Sequence, residues 1–228
     1  MNSKRWGKIG LLGSVLALAL SGVANGQPAP EQARALGEQI AIKGTAAGAA
    51  PCASCHGAQG EGAAAGGFPR LAGQPMQYLA KQLANYTDGS RNNPVMGPIA
   101  KQLTADERQA TATYYASLSA PAGQPAEAAA PELLQRGELL ANRGDNERQV
   151  QACANCHGPG GAGEPPTFPY LAGQHASYTV NALTEWQNGN RNNDASQQMP
   201  SIAKNLSKDD AAAVAAYFAR QPPPAPKH

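Results

Sequence analysis

Cysteine and histidine residues occur twice in this sequence in the same five-residue pattern. The copies are Cys-Ala-Ser-Cys-His at 52–56 and Cys-Ala-Asn-Cys-His at 153–157. Residues three and four positions apart share one face of a helical turn, so both thiols and the imidazole of each copy project together. The C-x-x-C-H pattern is the attachment signature of c-type haem. We predict two covalently bound haem c groups, held by the following residues: the thiols of Cys52, Cys55, Cys153 and Cys156, and the iron-binding imidazoles of His56 and His157.

Paired cysteines also take part in three other chemistries. Two disulfides would suit an oxidising compartment. A zinc ribbon also needs two C-x-x-C pairs, but these are usually about 15 to 20 residues apart, much closer than Cys55 and Cys153. A thiol-redox pair belongs in a βαβ unit, and the sequence has no convincing alternating strand pattern. The spacing therefore favours haem over all three.

The sixth ligand of the iron would distinguish an electron carrier from a haem enzyme, and methionine is the soft ligand that raises the reduction potential. Met96 and Met199 lie at equivalent places after each cysteine motif, in segments that we expect to be flexible loops. We predict that these two bind iron. Met76 has no counterpart and is predicted to fill the core. His175 is an alternative ligand for the second iron, but it is also unmatched.

Outer contacts of the haem sites are suggested by other repeated residues. The carbonyls of Pro69 and Pro169 could accept a hydrogen bond from the second ring nitrogen of each histidine. Four repeated side chains could hold haem propionates or simply pack in the protein, namely Arg91, Arg191, Tyr78 and Tyr178.

The chain is one unit written twice at an offset of about one hundred residues. Phe-Pro-x-Leu-Ala-Gly-Gln occurs at 68–74 and again at 168–174. Each half predicts helices joined by loops, including a first helix that begins near proline and ends near Gly44 or Gly144. Thr104 and Ser207 start the last helices, each with an acid three residues later. We therefore predict an all-α fold of two tandem domains.

Domain limits follow from composition. A basic start and an apolar run at 9–20 predict a signal peptide at 1–26. The apolar run is shorter than the roughly 20 residues that an ordinary membrane-spanning helix needs. We expect an N-terminal domain at 27–120, a Pro/Ala-rich linker at 121–130, a C-terminal domain at 131–220 and an extended tail at 221–228. The mature protein should be exported and periplasmic, and peripheral association with a membrane stays open.

Charge excludes one class of partner. Cleavage of the leader removes three of the 18 lysines and arginines and none of the 16 acids, which leaves a net charge near −1. No basic cluster remains of the kind that binds nucleic acid. We therefore expect no nucleic-acid partner.

Taken together, the haem motifs, the repeated Leu-Ala-Gly-Gln and Gly-x-Arg segments and the two downstream methionines resemble the cytochrome c4 family across the whole mature chain. The resemblance implies two class I cytochrome c domains with their haem edges and propionates near the domain interface. It also implies an electron carrier from a donor, such as a membrane quinol-oxidising complex, toward a terminal oxidase. Its partners would be redox proteins, with no catalytic residue and no small-molecule substrate.

Two other functions stay open from the sequence. The protein could be the electron-accepting subunit of a larger dehydrogenase, whose di-haem subunits look similar. A di-haem peroxidase would need one open iron and is normally longer, so the two candidate methionines argue against it.

Overall fold

The computed structural model describes residues 30–119 and 128–224. Within these ranges every helix is an α-helix except for two three-residue 3₁₀ helices, and strand pairing is limited to isolated β-bridges. This confirms the all-α prediction. The predicted signal peptide, most of the predicted linker and the end of the tail, including His228, lie outside these ranges. None of the helices in the described part of the chain is long and apolar enough to cross a membrane.

Within the described part of the chain, each half contains five α-helices in the same order. Those of the first half are α1 (Pro30–Lys43), α2 (Ala53–His56), α3 (Met76–Asp88), α4 (Met96–Lys101) and α5 (Ala105–Ser117). Those of the second half are α6 (Pro131–Asn142), α7 (Ala154–His157), α8 (Ala176–Gln187), α9 (Gln198–Asn205) and α10 (Lys208–Ala219). A short 3₁₀ helix follows α2 at Ala64–Gly66 and α7 at Pro159–Gly161. The repeat in the sequence is thus a repeat in structure.

Local sequence signals set the ends of these helices. Thr104 and Ser207 both form capping boxes. Each hydroxyl accepts a hydrogen bond from the main-chain N–H three residues later, and the acidic side chain of that later residue accepts one from the main-chain N–H of the capping residue. Gly44 follows α1 with φ of 74°, and its N–H donates to the Ile40 carbonyl. Glycine adopts this left-handed conformation without the steric cost that a side chain brings.

The first and last helices of each half cross at a glycine. A Cβ at Gly37 in α1 would collide with the main-chain carbonyl of Ala110 in α5. Gly137 in α6 makes the same approach to Ala213 in α10. Only a residue without a side chain lets the two backbones approach this closely, so the crossing fixes both helices relative to each other.

The two halves dock through their Gly-x-Arg segments. Arg91 and Arg191 form an antiparallel β-bridge. Asn92 N–H donates to the Asn190 carbonyl at 2.6 Å, and Asn192 N–H donates to the Ser90 carbonyl at 2.7 Å. These reciprocal bonds relate the halves by an approximate two-fold axis, and they bring the predicted haem-binding faces toward one another.

Two candidate haem sites joined by one cavity

The cysteines and histidine of each motif come together on a single helical turn. Cys52 precedes α2 with helical backbone angles, and its carbonyl accepts from Cys55 N–H at 3.2 Å and from His56 N–H at 2.9 Å. The turn beginning at Cys153 has the same two bonds at 3.2 and 2.9 Å. All four cysteines are free thiols, so no disulfide competes for them.

The first thiol of each pair lies in an apolar environment. Burial raises the pKa of Cys52, and it raises the pKa of Cys153 to about 11. Thiolate is the form that binds zinc or attacks a disulfide, so these environments do not favour either chemistry. Among residues 30–119 and 128–224, no group of three or more His, Cys, Asp or Glu side chains is arranged to hold a metal ion.

Both imidazoles are buried and oriented by a proline carbonyl. His56 Nδ1 lies 3.0 Å from the Pro69 carbonyl oxygen, and His157 Nδ1 lies 2.8 Å from that of Pro169. A carbonyl only accepts, so Nδ1 carries the proton and Nε2 keeps its lone pair. Burial lowers the pKa of both histidines, although the proline bond works in the opposite direction. Each imidazole is therefore neutral and keeps Nε2 available to bind a metal, and the predicted hydrogen bonds to the two carbonyls are confirmed.

One continuous cavity is lined by both motifs and by both candidate methionines, Met96 and Met199. The expectation that these methionines lie in flexible loops was wrong, because Met96 is the first residue of α4 and Met199 the second residue of α9. At these helix starts, the side chains of Asn93 and Asp194 accept hydrogen bonds from main-chain N–H groups that have no partner within the helix.

The two rival ligands face elsewhere. Met76 does not line the cavity, and its sulfur accepts from Gln109 Nε2 at 2.7 Å within the core. His175 is also outside the cavity lining, and its Nε2 lies 2.9 Å from the Glu61 carbonyl oxygen in the other half. Met76 is thus a packing residue, as predicted, and His175 takes part in the contact between the halves.

The wall between the two sites is polar and buried. Arg91 is 2 % exposed, and its Nη2 forms an ion pair of 2.9 Å with Glu185 Oε2 of the other half. Arg191 is 7 % exposed and donates to Gln82 Oε1 at 3.0 Å and to the Tyr78 hydroxyl at 3.3 Å. The repeated arginines therefore line the cavity and join the two halves at the same time.

Sequence reasoning missed three residues of this wall, namely Gln82, Glu185 and Asn193. Gln82 Oε1 accepts from both arginines and from Asn193 Nδ2. Glu185 stands where the first half has Asn85 and thus breaks the repeat. Gln82 could have been found from the sequence, because it lies four residues after Tyr78 and therefore on the same helical face. Nothing local reveals the partner of Glu185, which lies 94 residues away.

Comparison with known proteins agrees with this geometry. The family model for cytochrome c matches residues 41–119 and again 142–221. Cytochrome c4 of Pseudomonas aeruginosa is 36% identical over 212 residues, which cover 91% of this chain and 96% of that protein. The chain belongs to the cytochrome c4 family.

Two further relatives of this cytochrome c4 family member carry the words thiosulfate dehydrogenase in their names. A protein of Thiomonas intermedia (strain K12) named thiosulfate dehydrogenase electron acceptor is 45% identical over 174 residues, 76% of this chain and 80% of that protein. The solved structure of the thiosulfate dehydrogenase TsdBA from Marichromatium purpuratum superposes with a TM-score of 0.77 at 40% identity. That match covers 83% of this chain but only 40% of the larger protein.

A member of the cytochrome c4 family carries two covalent haem c groups, one for each Cys-x-x-Cys-His motif, and the residues present fit them. Each half offers two free thiols and a neutral imidazole with an available Nε2 on the wall of one cavity. The buried arginines Arg91 and Arg191 and the partly buried tyrosines Tyr78 and Tyr178 would supply hydrogen-bond donors for the propionate groups of such a haem. The protein is therefore a di-haem electron carrier and not an enzyme by itself.

Proposed function

We propose that each iron is bound by one histidine and one methionine. The two irons would be bound by His56 with Met96 and by His157 with Met199, and thioethers would form at Cys52, Cys55, Cys153 and Cys156. Support comes from the cavity, which both histidines and both methionines line and which Met76 and His175 do not. Repeat symmetry supports the same assignment. Iron with six ligands has no open position for a substrate, as an electron carrier requires.

The haem groups supply a one-electron ferric–ferrous couple, and the chain's own residues set its properties. The bonds from His56 to Pro69 and from His157 to Pro169 fix the orientation of each imidazole. A neutral thioether favours the ferrous state and raises the reduction potential. Arg91 and Arg191 would hold propionate groups, and their charges also favour the reduced state.

The ligand assignment is tested by replacing the methionines one at a time. Methionine bound to ferric haem gives a long-wavelength absorption band. We expect Met96→Ala and Met199→Ala each to lose about half of this band, and the double variant to lose all of it. Met76→Ala is the matched control and should keep the full band. A full band in either single variant would contradict the assignment for that half.

We propose that the electron donor is a thiosulfate dehydrogenase. The support is the 45% identity to a protein named as the electron acceptor of that enzyme, together with the match to part of TsdBA. A second candidate is the role that the family resemblance implies, between a quinol-oxidising complex and a terminal oxidase. The match over 91% of the chain to a cytochrome c4 favours that alternative.

Stopped-flow reduction distinguishes the two donors. The oxidised protein is mixed with thiosulfate and a catalytic amount of purified thiosulfate dehydrogenase, and reduction is followed in the visible spectrum. We expect both haems to be reduced at a rate proportional to the enzyme concentration, with no reduction by thiosulfate alone. Absence of enzyme-dependent reduction, with rapid reduction by a quinol-oxidising complex, would establish the second candidate instead.

We propose that the protein works in the periplasm. The basic and apolar leader at 1–26 supports export, and covalent haem attachment supports an extracytoplasmic site of assembly. Cell fractionation should find haem-stained protein in the periplasm, and deletion of the leader should abolish haem attachment. Release from membranes by a salt wash would identify peripheral association. Haem-stained protein that stays in the cytoplasm would contradict the proposal.

A further inference from the structure

The two candidate methionine ligands are held at their helix starts by different residues. In the first half, Asn93 Oδ1 accepts from Val95 N–H at 3.0 Å and from Met96 N–H at 2.9 Å. In the second half, Asp194 Oδ2 accepts from Met199 N–H at 2.8 Å. The other carboxylate oxygen, Oδ1, accepts from Ser196 N–H at 3.1 Å and from its hydroxyl at 2.6 Å.

These two anchors do not occupy equivalent positions of the repeat. The counterpart of Asn93 is Asn193, and the counterpart of Asp194 is Pro94. Asn193 is committed elsewhere, because its acceptor Oδ1 already accepts from Arg191 Nε at 3.2 Å. Its Nδ2 donates to the other half, to Asn85 Oδ1 at 2.8 Å and to Gln82 Oε1 at 3.1 Å. The anchoring role therefore passes to the next residue.

The loop before Met199 needs such an anchor more than the loop before Met96. Arg91 and Met96 are five positions apart, whereas Arg191 and Met199 are eight apart. Gln197, two residues before Met199, has φ of 56°, in the left-handed region that disfavours a side chain. A longer and strained loop has more conformations to lose, so bonds that fix its end have more effect on where the methionine lies.

A bond at the helix start also determines where the thioether enters the cavity. The first N–H groups of a helix have no partner within the helix, and a side-chain oxygen that accepts one of them fixes the residue at which the helix begins. Met96 and Met199 are the first and second residues of their helices. Loss of the anchor would let the helix start move, and the sulfur would move with it.

We propose that Asn93 and Asp194 are positioning residues that hold Met96 and Met199 in place to bind iron. The inference rests on the methionine ligation proposed above. It assigns the two halves different anchors, a neutral amide in the first and a carboxylate in the second. It also links domain docking to ligand placement in the second half, where Asn193 and Asp194 are adjacent.

The test uses the full-length holoprotein and two spectroscopic readouts. We expect Asp194→Ala to lose up to half of the methionine–ferric band and to increase the affinity for added imidazole severalfold at one haem. Asp194→Asn keeps an acceptor oxygen and should restore the band. Asn93→Ala should have the same effects at the other haem. Asp88→Ala is the matched control, because Asp88 Oδ1 accepts from Ser90 N–H at 2.8 Å in a similar turn that holds no methionine.

The outcomes separate this inference from the ligand assignment. A full band and unchanged imidazole affinity in Asp194→Ala, alongside a halved band in Met199→Ala, would overturn the positioning role alone. A full band in Met199→Ala would overturn the ligation and the positioning role together. Equal losses in Asp194→Ala and Asp88→Ala would also overturn the inference, since they would reflect general destabilisation. A normal Soret spectrum in each variant shows that the haems are attached.

Discussion

The side-chain amide of Gln174 pairs with both main-chain polar groups of Arg70 in the other half. Gln174 Oε1 accepts from Arg70 N–H at 2.8 Å, and Gln174 Nε2 donates to the Arg70 carbonyl at 3.0 Å. Gln74 forms the equivalent pair with Tyr170, at 3.2 and 2.9 Å. The repeated Leu-Ala-Gly-Gln segments thus act as a reciprocal clamp between the two haem domains.

Replacing one arm of this clamp should weaken docking. Gln174→Leu leaves the buried N–H and carbonyl of Arg70 without partners, so we expect the free energy of unfolding to fall by about 2–4 kcal/mol. Gln174→Glu keeps one bond and loses the other, and it should also destabilise. Thermal unfolding of the holoprotein measures both. Gln102→Leu, at an exposed position of the first half, is the control and should leave stability nearly unchanged.

Glu185 places a negative charge in the wall of the cavity, opposite Arg91. Glu185→Gln removes this charge but keeps the shape of the side chain. We expect the midpoint potentials of the haems to rise, because a nearby negative charge stabilises the ferric state. Spectroelectrochemical titration measures the shift. Glu138→Gln removes the same charge from an exposed position on α6 and should have little effect, so equal shifts would contradict the prediction.

Within the described ranges an ion-pair network surrounds the second capping box but not the first, and it should make the second half sensitive to acid. Asp210 contacts Arg136 at 2.8 Å and also pairs with Arg148. Although burial acts in the opposite direction, the Arg136 and Ser207 bonds lower the pKa of Asp210 to about 2. The folded-state pKa is below the unfolded value, so this stability is present above about pH 4 and is lost as the pH falls toward about 2.

Asp210→Asn tests this contribution. We expect the variant to lose about 2 kcal/mol at neutral pH and to show a flatter dependence of stability on pH between about 4 and 2. Glu107→Gln is the matched control, because Glu107 holds the equivalent capping box and forms no ion pair within the described ranges. Acid unfolding curves of both variants decide the matter. Identical curves for Asp210→Asn and the unmodified protein would refute the network's role.

The helix crossing in each half should not tolerate a methyl group. A Cβ at Gly137 would collide with the Ala213 carbonyl, so Gly137→Ala must push α6 away from α10. We expect a loss of about 1–3 kcal/mol in thermal unfolding. Gly97→Ala is the control, since the nearest atom to a Cβ there is 3.8 Å away. A stable Gly137→Ala variant would mean that the crossing can widen without cost.

The sequence by itself determined the parts of this protein that depend on neighbours along the chain. Cys52, Cys55 and His56 share one face because a single helical turn sets their geometry, and Thr104 caps α5 through a residue three positions away. The repeat identified Met96 and Met199 as equivalent, since two copies of one unit must fold alike. These features follow from short-range hydrogen bonding, which a local pattern records.

Only the tertiary structure decided which residues meet across the two halves. The pairs Arg91 with Glu185 and Arg70 with Gln174 are separated by 94 and 104 residues, and each forms only after both halves have folded and docked. Symmetry could not reveal Glu185, because its counterpart Asn85 is neutral. Nor could it reveal that Asn193 serves the interface while Asp194 anchors Met199, because that division depends on where the docked surfaces bring each side chain. Contacts of this kind are set by the packing of whole domains, and a linear pattern does not encode them locally.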